Sequence, residues 1–165
     1  MSGIARFLNA LDSSAAEGAL RDCCGSHIWV DAMVAARPFD RDETVLTAAD
    51  RFWFALRHED WLEAFAQHPR IGQPSTSRWS QREQSGILRA SPDLRARMIE
   101  RNQEYEARFG HVFLICATGR SAEDMLANLE SRLSNDVDTE LHVAAAEQAK
   151  ILALRLHKLV DPRDR

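Results

Sequence analysis

The chain has 165 residues, of which 45% are apolar and 28% are charged, and its formal net charge is −4. This length and composition are typical of one globular domain with its own core, so we expect residues 1–165 to form a single domain. The 21 basic residues are scattered, which argues against nucleic acid or a membrane surface as the partner. A small anionic ligand stays open, because it needs only one or two well-placed cations.

The sequence shows no pattern for membrane insertion or export. No run approaches the ~20 apolar residues of a transmembrane helix. The first residues, MSGIARFLNALDSS, lack the apolar stretch and cleavage site of a signal peptide. The three cysteines cannot all pair within one chain, and Cys23 and Cys24 are adjacent. We therefore expect reduced thiols in a cytoplasmic protein.

Two helices are predicted near the start of the chain. The first covers residues 15–24 and is stopped by Gly25, since glycine is common just after a helix. The second covers residues 27–36, with Ser26 as its N-cap and Pro38 just beyond its end.

The next helical region is rich in aromatic residues. Residues 47–50, TAAD, resemble a capping box with Asp50 in place of the usual Glu or Gln, so we expect the region to begin there. Its large apolar residues are Phe52, Trp53, Phe54, Leu56, Trp61, Leu62 and Phe65.

The helical pattern is interrupted at residues 66–74, AQHPRIGQP, which contain two prolines and a glycine. Proline disfavours helical geometry in the residue before it, so we expect His68 outside a helix. Imidazole titrates near neutral pH, and a histidine at a helix end can therefore serve as an acid–base group in a cleft. Such a histidine is more often structural, capping carbonyls or lying at the surface. The residues alone leave both interpretations open.

A polar group of residues follows in SQREQSGIL. If a helix begins near Ser80, positions i, i+3, i+4 and i+7 share one face. These positions are Ser80, Glu83, Gln84 and Ile87. In one interpretation they form a pocket in which Glu83 orients His68 and favours its charged form. In the other, which the residues alone favour, the face is solvated, with Ser80 as N-cap and Glu83 completing a capping box.

Three helices are predicted in the second half of the chain, over residues 92–109, 121–133 and 139–159. Ser91 caps the first of these helices, which has proline as its first residue and Gly110 as its stop.

The segment HVFLICATG, residues 111–119, is short, apolar and bounded by glycine. Its periodicity allows a strand or a buried extended connection. Because no second convincing strand is present to pair with it, we predict irregular backbone between helices. The predicted fold class is all-α.

Arg155 lies between Ile151 and Leu159 on the apolar side of the last predicted helix. An arginine in such a position usually extends its charged end to solvent or forms a salt bridge. The functional alternative is a cation that binds a carboxylate or ureido ligand.

Metal and nucleotide sites are not indicated. His58 and Glu59 begin like a zinc-binding helix motif, but position 62 is leucine, so HExxH is absent. Neither the phosphate-binding GxxxxGK[ST] motif nor GxGxxG after a strand occurs. We expect no metal and no cofactor, and an activity that a chelator does not change.

Six motifs occur in order along nearly the whole chain. They are CGS..W at 24–29, RPF at 37–39, HPRIG at 68–72, SQREQSG at 80–86, N..Y...FG.VFLICA.GR at 102–120 and E..KI...R at 147–155. Together they resemble the 2-oxo-4-hydroxy-4-carboxy-5-ureidoimidazoline (OHCU) decarboxylases of urate degradation. HPRIG alone is weakly specific, but HPRIG, SQREQ and FLICA in this order are specific. The eukaryotic branch of that family has HPDLAG in place of HPRIG.

The resemblance implies an all-helical fold and a cofactor-independent decarboxylase that yields (S)-allantoin and carbon dioxide. It implies that His68 is the catalytic proton donor and that the backbone of Pro69 contributes to the substrate site. We place Glu83 beside His68 as the second catalytic residue. The other substrate-binding residues that the resemblance implies are Ser80, Gln84, Phe113, Leu114, Ile115, Cys116, Ala117 and Arg155. The implied ligand is a small ureide.

A homodimer is also expected. Relatives of this type form dimers, and the chain has four tryptophans and seven phenylalanines.

Two other functions remain compatible with the sequence. A cofactor-free hydrolase of a related ureide would retain the same pocket, so the motifs do not separate it from a decarboxylase. A non-catalytic helical binding module would explain the helices. It would not explain a histidine, a carboxylate and an amide gathered in matching motifs.

Overall fold

The protein is described by a computed structural model that covers residues 3–73 and 77–164. Within these ranges the chain forms ten α-helices and no strand, which confirms the predicted all-α class. The helices are α1 (Ile4–Ala10), α2 (Ser13–Cys23), α3 (His27–Ala35), α4 (Asp42–Phe54), α5 (His58–Phe65), α6 (Arg78–Glu83), α7 (Ser85–Leu88), α8 (Pro92–Phe109), α9 (Ala122–Arg132) and α10 (Val137–Lys158). None of these described helices is long and apolar enough to cross a membrane.

The described residues divide into two compact units. The first unit contains the residues up to Ala64 and those from Ala149 onward, and the second unit is Phe65–Gln148. Helix α10 supplies residues to both. The expectation of a single domain over residues 1–165 stays a prediction.

Three tryptophans lie in the core of the first unit. Trp29 and Trp53 are fully buried, and Trp61 is nearly so. The indole N–H of Trp29 donates to the carbonyl of Ala49 at 3.0 Å, and that of Trp61 donates to the carbonyl of Trp53 at 2.9 Å. These tryptophans are therefore core residues whose polar atoms are satisfied internally.

Serine caps begin several helices, and the sequence predicted those at Ser26 and Ser91. Ser26, Ser91 and Ser121 each accept a hydrogen bond from the backbone N–H three residues later, at the starts of α3, α8 and α9. Gly110 ends α8 with a φ of 77°, a left-handed conformation that favours glycine.

Two predicted helix ends are wrong. Helix α4 already begins at Asp42, so residues 47–50 lie inside the helix and form no capping box. Acidic residues occupy its first turn, where the helix dipole stabilises negative charge. Near the start of the chain, α2 ends at Cys23 with Cys24 as its extended C-cap, so Gly25 is not the residue that stops it.

Helix α1 was not predicted. Its seven residues are too few to show a clear period, and its N-cap, Gly3, makes no side-chain cap. The helix is held by tertiary contacts, since the backbone N–H of Ala5 donates to the carboxylate of Asp42 at 2.9 Å.

The core of the second unit collects apolar side chains from α7, α8, α9 and the segment between α8 and α9. Its buried members are Ile71, Ile87, Met98, Tyr105, Phe109, Phe113, Ile115, Ala117, Ala122, Met125, Leu126 and Leu129. The residues 112–117 contain no helix or strand, as predicted.

Candidate active site

His68 lies just after α5, outside any helix, as the following proline predicted. Its backbone N–H donates to the carbonyl of Phe65 at 3.1 Å, which closes a turn at the helix end. The ring is half-buried, and so is Pro69. The loop is anchored by Ile71, which is buried in the core of the second unit. Gly72 then turns the chain with a φ of 87°.

The imidazole of His68 meets a glutamine that sequence reasoning missed. Its Nε2 lies 2.5 Å from Oε1 of Gln148, which is fully buried on α10. One signal in the sequence points to Gln148. Four residues before and after it stand Ala144 and Leu152, both buried, so an amide interrupts the apolar line of the helix. Interaction of Glu83 with His68 stays a prediction.

The irregular segment contributes four buried side chains, Phe113, Leu114, Ile115 and Ala117, whereas Cys116 is half-buried. Side chains from α9 and α10 form hydrogen bonds with the backbone of this segment. The carbonyl of Leu114 accepts from Arg132 at 2.8 Å, and the N–H of Cys116 donates to Glu147 at 2.9 Å. Because buried backbone groups need partners, these two contacts hold an extended segment in place without a sheet.

The arginine that holds this segment belongs to a buried ion pair. Nε of Arg132 donates to Glu140 at 2.7 Å, and the same carboxylate accepts from the hydroxyl of Tyr105 at 2.5 Å. The guanidinium also lies 4.6 Å from the ring centre of Phe113. Burial, together with the hydrogen bond to Glu140, raises the pKa of Tyr105 far above its usual range, so this hydroxyl stays a donor.

The SQREQSG motif forms two short helices instead of one. Ser77, not Ser80, is the N-cap of α6, and its hydroxyl accepts from the N–H of Ser80 at 3.3 Å. The predicted capping box of Ser80 and Glu83 is therefore wrong. Helix α6 ends at Glu83, and α7 begins after Gln84. The single continuous face over residues 80–87 is not formed.

A cavity of about 360 Å³ opens beside α6 and α7. Among the described residues its lining is Gly72, Gln73, Ser80, Gln81, Gln84, Ile87, Leu88 and Arg95. Gln84 accepts a hydrogen bond from the N–H of Gly72 at 3.2 Å, so the HPRIG and SQREQ motifs meet here. Ser80 is buried and Glu83 is half-buried. His68 and Glu83 lie outside this lining set.

Gly86, the last residue of the SQREQSG motif, packs closely against the end of the irregular segment. A Cβ atom on Gly86 would lie 2.4 Å from the carbonyl oxygen of Arg120. Helix α7 therefore packs directly on the backbone that follows Ala117, and only glycine allows this approach.

Arg155 belongs to the first unit, whereas the other predicted site residues belong to the second. In its own unit Arg155 is half-buried. Its positive charge partly offsets the effect of burial on the pKa of two buried thiols, those of Cys23 and Cys24. Burial raises the pKa of Cys24 to about 12, against the opposing effects of a hydrogen bond with Ser26 and the charge of Arg155. These thiols stay protonated at neutral pH and are poor nucleophiles. Its role as a substrate ligand stays a prediction.

A family model described as OHCU decarboxylase matches residues 9–157. The chain belongs to the OHCU decarboxylase family. The resemblance seen in its motifs is thus confirmed over most of its length.

Solved and curated members of the family support this assignment. A crystal structure of OHCU decarboxylase in the presence of (S)-allantoin is 32% identical, with a TM-score of 0.78, over 90% of this chain and 98% of that one. The 2-oxo-4-hydroxy-4-carboxy-5-ureidoimidazoline decarboxylase of Mus musculus is 36% identical over 136 residues, which are 78% of this chain and 76% of the mouse protein.

The "Uric acid degradation bifunctional protein TTL" of Arabidopsis thaliana is 39% identical over 145 residues. The match covers 83% of this chain and 45% of the plant protein. The chain thus spans less than half the length of that relative.

Proposed function

We propose that this protein decarboxylates OHCU to (S)-allantoin and carbon dioxide in urate degradation. The observation that carries the proposal is the likeness to OHCU decarboxylase in the presence of (S)-allantoin, which extends over 98% of that chain. The six motifs support it, because those from HPRIG to FLICA bring a histidine, amides and apolar walls into the second unit. The proposed ligand is a small ureide, and the proposed compartment is the cytoplasm.

The substrate can act as its own electron sink. The carbon that carries the carboxylate also carries a hydroxyl and adjoins a C=N bond. When the bond to the carboxylate breaks and carbon dioxide leaves, the electron pair forms a C=C bond and the ring nitrogen takes up a proton. The hydroxyl oxygen then loses its proton as its carbon becomes a carbonyl, and the neighbouring carbon of the C=C bond gains a proton. Addition of that proton to one face gives the (S) product.

On this mechanism the protein positions the substrate and handles protons. His68 delivers a proton, as general acids at near-neutral pH commonly do. Glu83 orients His68 or contacts the substrate hydroxyl. The remaining contacts fix the orientation of the ring, which determines the face that is protonated.

We assign two kinds of contact to the substrate. Ser80, Gln84 and the backbone of Pro69 provide hydrogen bonds. The buried side chains from Phe113 to Ala117 form an apolar wall, beside which the carboxylate is poorly solvated and its loss is favoured.

Release of carbon dioxide separates this function from hydrolysis of a related ureide. The substrate is generated from urate immediately before use, and carbon dioxide is measured with and without the protein. We expect release well above the uncatalysed rate. Consumption of the ureide without extra carbon dioxide would favour a hydrolase, and binding without turnover would favour a binding module.

We also propose a homodimer, on the resemblance to dimeric relatives. The tryptophan content no longer supports it, because Trp29, Trp53 and Trp61 are core residues. Light scattering at micromolar concentration is expected to give about twice the chain mass of 18.7 kDa. A single chain mass would contradict the proposal.

A further inference from the structure

Gln148 is placed to control the protons on His68. Its side chain is fully buried on α10, and its Oε1 lies 2.5 Å from Nε2 of the imidazole. A carbonyl oxygen can only accept a hydrogen bond, so this contact requires a proton on Nε2. Which ring nitrogen carries the proton in a neutral histidine is set by such a partner.

The other end of the same amide makes no hydrogen bond. Nε2 of Gln148 is buried and has no hydrogen-bond partner among the described residues. Leaving a buried donor without a partner is destabilising, so this amide contributes less to stability than one bonded at both ends. The bond to His68 is the one hydrogen bond that its side chain makes within the described residues.

The adjacent residue on α10 connects the same helical turn to the apolar segment. Glu147 accepts from the N–H of Cys116 at 2.9 Å. Gln148 therefore contacts the imidazole of His68, and the residue before it on α10 contacts the backbone of the proposed apolar wall. A shift of this turn of α10 would move the imidazole and the wall together.

We propose that Gln148 is a positioning residue that accepts the Nε2 proton of His68 and thereby assigns proton exchange with the substrate to Nδ1. An amide neither takes up nor supplies a proton at neutral pH, so the proton engaged by Gln148 stays on the ring. Nδ1 carries no proton in this neutral tautomer, so it first takes one up, from solvent or from the substrate hydroxyl, and is then the nitrogen that gives a proton to the substrate. This inference rests on the function proposed above for His68.

The test measures the tautomer of His68 directly. Nitrogen-15 shifts of the imidazole distinguish a proton on Nε2 from one on Nδ1, and they are recorded at a pH where the ring is neutral. We expect Nε2 to be protonated in the parent protein. A parent ring protonated on Nδ1 would overturn the proposal by itself, whatever the variants do.

Two substitutions at Gln148 extend the test. Gln148→Met keeps the approximate volume and removes the acceptor, so we expect a mixture of tautomers. We also expect kcat to fall at least about 10-fold with KM within about 3-fold, because binding contacts are retained. Gln148→Glu keeps an oxygen acceptor at this position, so the ring should keep its proton on Nε2 as in the parent protein. An unchanged tautomer in a folded Gln148→Met protein would contradict the proposal. If that variant does not fold, loss of the Nε2 tautomer in Gln148→Glu would contradict it.

Asn102→Leu is the matched control. Asn102 is another buried amide of the second unit, and its Nδ2 donates to the carbonyl of Met98 at 2.9 Å. Its replacement should leave the tautomer of His68 unchanged, and a change equal to that in Gln148→Met would overturn the proposal. If the parent protein has the Nε2 tautomer but releases no carbon dioxide, the proposed function fails while the contact of Gln148 with His68 stands.

Discussion

Among single residues, the proposed chemistry depends most on His68. Replacing it with Asn keeps some hydrogen bonding and removes the titrating proton, so we expect kcat to fall by about 10²-fold or more. The half-buried residue leaves no large cavity, and the main cost is the bond lost to the buried Gln148, so we expect a folded protein with a modest fall in melting temperature. Carbon dioxide release and the melting temperature check the two statements. A folded Asn variant with near-parental turnover would remove His68 from the mechanism.

Glu83 is tested together with His68. Glu83→Gln keeps the shape of the side chain and removes its charge. If both residues serve one proton transfer, the double variant should lose much less activity than the product of the single losses. Multiplicative losses would indicate that the two residues act separately, with Glu83 binding the substrate.

Glu140 is expected to matter for stability. Glu140→Gln leaves Arg132 with a positive charge in the core, and breaking a buried ion pair in this way costs about 3–5 kcal/mol. Tyr105→Phe removes only one hydrogen bond to the same carboxylate and should cost less, about 1–3 kcal/mol. The free energy of unfolding in urea measures both. An equal or smaller loss for Glu140→Gln would contradict the account of this pair.

Local rules predicted some site residues and missed others. The position of His68 outside a helix follows from Pro69 alone, because the restriction acts between neighbours. Its contact with Gln148 joins residues far apart in the chain, and no local rule reports it. The cap of α6 is Ser77, three residues before Ser80, and both serines satisfy the local preference for a cap, so residue type alone does not choose between them.

Helix α7 packs against neighbouring backbone, with no room for a side chain at Gly86. Gly86→Ala would place a Cβ atom 2.4 Å from the carbonyl oxygen of Arg120, which is a backbone atom and cannot move aside as the end of a flexible side chain could. We expect a loss of about 1–3 kcal/mol in stability, although alanine favours helices. The melting temperature measures it. Gly18→Ala in α2 is the control, because nothing lies within 4 Å of its Cβ position, and it should stabilise by about 0.5–1 kcal/mol. A stabilising Gly86→Ala would contradict the close approach.

Helix boundaries were predicted where local chemistry decides them. Serine caps and the left-handed Gly110 act within a few residues, and the predicted ends of α3, α8 and α9 agree with the structure. Helix α1 was missed because its stability comes from a distant residue, Asp42. The irregular segment was predicted as such only from the lack of a partner strand. The side chains that hold it, from Arg132 and Glu147, could not be inferred locally.

For the whole molecule, composition and helical periodicity were enough to give the all-α class. They did not indicate that the described residues divide at Ala64 and at Gln148 into two compact units, because contacts between distant segments decide such a division. The functional assignment came from six motifs in order, each too short to decide it alone. The family match over residues 9–157 confirms the resemblance that these motifs indicated.

The optical activity of the product tests the central claim most directly. OHCU is generated freshly from urate, and circular dichroism is followed as allantoin forms with and without the protein. The proposed decarboxylase is expected to give (S)-allantoin at a rate proportional to protein concentration, because an oriented substrate is protonated on one face. The His68→Asn variant serves as the control and should give little of this signal. Racemic allantoin formed at the uncatalysed rate in the presence of folded parent protein would contradict the account.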